Sequence, residues 1–200
     1  MTKNKLLPTV GLYSSSFLII IYMINIVVFF KNDTVPGIMT LNVFVPFLII
    51  IIFLAIRFVL AVKSRLYNFK TLLNLFIIFQ TLVFLLILNL KFQVVTSKII
   101  LIPYVIAGLM LIILTIWFCI SLTYIDKDEL NGLIFLQLYA FTALLILLLS
   151  MIPEIMLYLR KDNIKNFDII KEFAMIVPYI FLNIFFLKSM THDQNSETIN

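Results

Sequence analysis

Phe47-Leu48-Ile49-Ile50-Ile51-Ile52 is apolar at every position and lies within an uncharged stretch from Thr34 to Ile56. A barrel strand alternates polar and apolar residues, so this run excludes one. An open sheet is excluded as well, because its edge would leave backbone N–H and C=O groups unpaired in any solvent that tolerates such a run. What remains is a helix, apolar around its whole circumference. Crossing about 30 Å of hydrocarbon takes roughly 20 residues at about 1.5 Å each, and the stretch is long enough.

Further uncharged intervals flank it: Leu6 to Phe30, Thr71 to Leu90, Ile99 to Ile125, Leu130 to Pro153 and Phe173 to Leu187. Ile169 and Ile170 lengthen the last one, with Lys171 snorkelling to the interface and Glu172 held at the boundary. The sequence therefore predicts an all-α fold, a polytopic transmembrane helical bundle of six spans. These fall at about 9–30, 37–62, 70–91, 99–124, 132–159 and 169–190. They form a single transmembrane domain, 1–190, followed by a polar tail, 191–200, that is expected to be disordered. The first apolar run is too long for a signal-peptide core and is read as a true span.

Composition agrees. Of 200 residues, 63% are hydrophobic and only 12% charged, with mean hydropathy +1.15. A soluble domain is about half apolar and about a quarter charged. Disorder and nucleic-acid binding need polarity or a basic surface that this chain lacks. The net charge of +5 sits in short segments between apolar runs, where lipid headgroups are the natural partner. Cys119 is the only cysteine, so there is no internal disulfide, and the only histidine, His192, lies in the tail.

Orientation follows Lys and Arg in the loops. With the N-terminus in the cytoplasm, eight fall inside and seven outside. The first three spans favour this orientation by six to three, so both termini are expected to be cytoplasmic.

Three segments share a pattern: an apolar helix, a polar loop containing lysine, then three apolar residues, proline and an aromatic. They are Lys31 with Val43 to Phe47, Lys91 with Ile100 to Tyr104, and Lys161 with Met175 to Tyr179. The pattern is compatible with three repeated helical hairpins, although the Lys-to-Pro separations of 15, 12 and 17 make its register loose. Pro46 and Pro178 are predicted to lie well inside their spans and kink them, whereas Pro103 falls near a helix start.

The second span and its approach contain Val35-Pro36-Gly37 and, after four residues, Asn42-Val43-Phe44-Val45-Pro46-Phe47. This resembles the transmembrane Fragile-X-F-associated protein family, small multi-pass proteins of the eukaryotic endoplasmic reticulum. The resemblance extends over about residues 15–118 and rests on Val35, Pro36, Gly37, Asn42, Val43, Phe44 and Pro46. The tryptophan that the family carries near this segment is absent, the only one here being Trp117. The resemblance implies an endomembrane protein without catalysis, acting through other membrane proteins and connected with calcium-store regulation.

Ionisable residues within spans mark ion paths and active sites, because an unpaired charge in hydrocarbon is costly. Arg57 is one candidate functional polar residue, and snorkelling at the span's end is its simpler reading. Glu154, beside Pro153, is the other, and a boundary glutamate near Arg160 is the simpler reading there. Asn25, Asn42, Asn74, Gln80, Asn89, Gln137 and Asn183 lie in spans and are read as interhelical hydrogen-bond partners. Ser14, Ser15 and Ser16 are expected to bond back to their own helix. The sequon at Asn32 lies too close to the bilayer to be glycosylated.

No intramembrane histidine accompanies a serine, cysteine or threonine, and no His-x-x-x-His pair or filter-like glycine run occurs. No catalytic residue, metal site or cofactor is therefore expected. The leading expectation is a non-enzymatic membrane protein whose partners are the lipid bilayer and other membrane proteins. The alternatives are a small-solute or ion transporter or channel subunit, and a bacterial permease or immunity membrane protein.

Overall fold

The structure, a computed structural model, describes residues 3–31, 42–63, 66–92, 97–125, 130, 132–150 and 165–197. The sequon at Asn32, the motif residues Val35, Pro36 and Gly37, and Glu154 lie outside them. The described residues form six α-helices: α1 Lys3–Lys31, α2 Val45–Arg57, α3 Asn68–Phe92, α4 Ser97–Thr123, α5 Leu133–Ser150 and α6 Lys165–Glu197. A π-helical turn, Phe58–Lys63, continues α2.

Each helix packs on its neighbours in sequence, and α6 returns to pack on α1, closing a ring. Paired residues run in opposite directions where α1 meets α6 and α2 and where α2 meets α3. On α1 and α6, Thr9 meets Met190, Ser15 meets Asn183 and Asn25 meets Glu172. Gly11 abuts Ala55 where Asn25 reaches Asn42, and Phe53 stacks on Phe76 where Phe47 approaches Phe84. The ring is thus an antiparallel up-and-down bundle with its first and last helices starting and ending at the same face.

Four helices contain segments long and apolar enough to cross a membrane: Leu6–Val28, Phe69–Asn89, Ile102–Thr123 and Glu172–Met190. The other two contribute shorter apolar segments, Val45–Leu60 and Leu133–Leu149. Apolar side chains also cover the outside. Along α4, Ile106, Leu109, Ile113, Ile116 and Ile120 follow one helical stripe and are each 40–57% exposed. Exposed large apolar side chains recur on all six helices, among them Ile20, Leu54, Ile78, Phe141 and Ile180, so the apolar surface is not confined to one patch as on a soluble monomer. The chain is an integral membrane protein.

The ring is tightest between α1 and α6. Gly11 lets the backbones approach; a Cβ there would lie 2.5 Å from Phe186 Cζ and 2.7 Å from Ala55 Cβ. The Ser15 hydroxyl lies within reach of the Gly11 and Leu12 carbonyls, at 2.9 and 3.0 Å, and of Asn183 Oδ1. Asn183 Nδ2 donates to Ser16 Oγ at 3.1 Å. The expected serine back-bonding is present at Ser15, joined by an interhelical clamp. On the opposite side of the bundle, Gln137 Nε2 donates to the Leu122 carbonyl at 2.9 Å, satisfying one of the unpaired carbonyls at the end of α4. Before α5, Gly132 adopts φ +84°, and its carbonyl accepts from the Phe135 and Leu136 amides at 2.9 and 3.4 Å. A Cβ at Gly132 would come within 3.1 Å of Lys188 Cβ, so the turn needs glycine for both backbone and space.

Three expectations change. Pro46 does not lie well inside a helix: Asn42 and Val43 are helical, and a turn at Phe44 interrupts the chain just before it. It occupies the first turn of α2, after Phe44, where the missing N–H has no intrahelical acceptor to lose. Pro103 and Pro178 lie inside α4 and α6, so the three prolines occupy different helical positions and their repeat is not carried into register. The segment read as a disordered tail is helical through Glu197. Propagating an existing helix is far easier than nucleating one, and neither glycine nor proline interrupts the chain between Lys188 and Glu197.

Candidate functional site

All six helices contribute to a cavity of about 180 Å³ within the ring. The helical period explains the lining. Ile49 and Phe53 on α2, Phe76 and Gln80 on α3, and Leu111 and Thr115 on α4 are each four residues apart and share a face. On α5, Tyr139, Ala143 and Leu147 continue that spacing, and Met175 and Tyr179 repeat it on α6. Tyr22 completes the wall from α1.

Aromatic rings set one side of the cavity. Tyr22 and Tyr179 stack with centroids 5.8 Å apart and planes at 17°, and Tyr139 tilts against Tyr179 at 6.4 Å. Opposite them, Phe53 stacks on Phe76 at 4.5 Å, and Phe118 meets Phe76 edge-on at 5.9 Å. These pairings hold the wall in shape through fixed ring geometry.

Polar groups are few. Thr115 Oγ1 donates to the Leu111 carbonyl of its own helix at 2.7 Å, so its hydrogen is engaged. Gln80 is different. Its residue is 7% exposed, it lines the cavity, and its side chain makes no hydrogen bond among the described residues. Sequence reasoning made Gln80 an interhelical partner like Asn183 and Gln137; the structure turns it toward the open centre instead. The three tyrosines and Thr115 were not singled out from the sequence. Tyr179 could have been, because tyrosines concentrate at membrane interfaces and this one falls near the middle of Glu172–Met190.

The sequence-predicted candidates fall elsewhere. Asn42 is exposed and accepts from Asn25 Nδ2 at 3.0 Å. Asn25 Nδ2 also lies 3.5 Å from Glu172 Oε2, so a polar latch joins α1, the approach to α2, and α6. Glu172 is half-buried there, one to two turns from the Tyr22–Tyr179 pair. Val43 is half-buried, Phe44 is exposed and Pro46 is buried, and none of the three lines the cavity. Arg57 closes α2 one turn beyond Phe53, immediately before the π turn. Its side chain is half-buried, with Nε sealed from solvent and without a hydrogen-bond partner among the described residues. The structure does not bring Arg57 and the latch together; they lie toward opposite ends of the bundle.

Among the described residues, no group of three His, Cys, Asp or Glu side chains is placed to hold a metal ion. The cavity wall offers an amide, a hydroxyl and three phenols set in hydrocarbon. Such an arrangement can enclose and orient a small molecule. No protein-family model, curated protein or solved structure matches the chain.

Proposed function

We propose that the protein is a non-enzymatic multi-pass membrane protein, crossing the bilayer six times, that works by binding a small molecule at the centre of its ring. The observation that carries this reading is the cavity to which all six helices contribute. Sites between the helices of a bundle are a usual place for ligands. No carboxylate, histidine or cysteine stands in the wall, which favours binding over acid–base or nucleophilic chemistry. The antiparallel closure of the ring supports six crossings, including those by the shorter apolar segments of α2 and α5. The resemblance at Val35 to Phe47 adds an endoplasmic-reticulum location, membrane-protein partners and calcium-store regulation to the proposal.

Xenon tests the cavity independently of any hydrogen-bonding chemistry, since dry apolar cavities of this size take it up. Crystals of the protein under xenon should show density between Phe53, Phe76 and Leu111, and Ala143→Phe should remove it. Wild-type crystals without such density would end the binding reading. A carrier role is the second reading, favoured by Pro178, which stands in the cavity wall inside α6 and removes a backbone hydrogen bond there. Transport of a bound solute by purified protein in liposomes would support it, and binding without any flux would exclude it.

A further inference from the structure

The chemistry of the cavity narrows what it takes. Its volume, about 180 Å³, is close to that of the roughly 150 Å³ protein cavity known to hold benzene. A single ring or an equally small body fits within it. Charge is excluded by cost, because no charged side chain lines the wall to compensate the lost hydration of an ion.

Beside three tyrosine hydroxyls and Thr115, one amide stands in that apolar space. Gln80 carries two N–H donors and a carbonyl acceptor, is more than nine-tenths buried, and has no hydrogen-bond partner among the described residues. Its amide opens onto the cavity instead of being sealed, so a ligand group that both donates and accepts can pair with it there. Thr115 does not compete for this role, since its hydroxyl hydrogen is already given to Leu111.

We propose that the cavity is a binding site for a neutral, single-ring amphiphile of the phenol or benzyl-alcohol class, recognised by a hydrogen-bonding pair with Gln80. The apolar body rests among Phe53, Phe76, Leu111 and Ala143, and the hydroxyl turns to the amide. This rests on the binding reading above and specifies its ligand.

Phenol and toluene are the probes, being similar in shape and different in hydrogen bonding. Binding is measured by titration calorimetry on the full chain in nanodiscs, with Ala143→Phe as the blank that removes partitioning into lipid. Wild-type protein should bind phenol about tenfold more tightly than toluene, the effect of one buried hydrogen bond. Gln80→Leu, of similar volume and apolar, should bring the two to equal affinity while retaining toluene. Thr115→Val should leave the preference intact. Equal binding of both probes by wild type, or a preference that survives Gln80→Leu, would overturn the proposal. So would failure of phenol to bind at all, with only water meeting Gln80. Xenon uptake separates the outcomes: xenon without phenol preference removes this inference alone, whereas no xenon removes the cavity reading beneath it.

Discussion

Replacing Gly11 with alanine adds one methyl group at the point where three helices converge. That Cβ would lie 2.5 and 2.8 Å from Phe186 Cζ and Cε2 and 2.7 Å from Ala55 Cβ, distances at which something must move. Ala55 has no torsion that relieves the contact. Phe186 is fully buried and packed on Phe185 at 5.4 Å, so its ring has no free volume to enter. Overpacking of this kind costs about 1–3 kcal/mol. Alanine recovers up to about 1 kcal/mol as the better helix former. The balance is a loss of about 1–2 kcal/mol, a factor of about 5–30 in the folded-to-unfolded ratio. Reversible unfolding in mixed micelles measures it. Gly11→Ala combined with Phe186→Leu, which withdraws the ring edge, should recover part of the loss. A Gly11→Ala protein as stable as wild type, or more so, would refute the close packing of α1 against α2 and α6.

Three other consequences can be measured. The clamp between Asn183 and Ser15 should appear as a coupling of about 0.5–1.5 kcal/mol in a cycle of Asn183→Leu and Ser15→Ala; no coupling would mean that the serine bonds only to its own helix. Pro46→Ala should change stability by less than about 1 kcal/mol, since the residue sits in the first turn of α2; a loss beyond that would place Pro46 in a more demanding position. Gln137→Leu should strip the Leu122 carbonyl of its donor, cost about 1–3 kcal/mol, and speed amide exchange in the last turn of α4 while leaving α1 unchanged.

Helical class and medium were legible from Phe47 to Ile52 alone, because a wholly apolar run has to satisfy its backbone internally. The boundaries of α3 and α4 also follow the sequence closely, since charges or polar residues mark both ends of their apolar intervals. The start of α2 was less legible. No charge divides Thr34 to Ile56, and the structure begins α2 at Val45 with Pro46 in its first turn. The polar residues divide in the same way. Ser15 could be read locally, because its back-bond partners lie three and four residues away in its own helix. Gln80 and Asn183 are both amides within apolar helices, and their different surroundings depend on helices distant in the chain.

That dependence has one physical cause. In water, polarity separates the face of a helix that turns inward from the face that turns outward. Here lipid is as apolar as the protein interior, so composition establishes that the helices exist and are immersed in hydrocarbon but does not say which side of each one faces in. Ring closure, the contact at Gly11 and the cavity before Gln80 arise from shape: where a small residue admits a neighbour, where rings stack, and where six packed helices leave space between them.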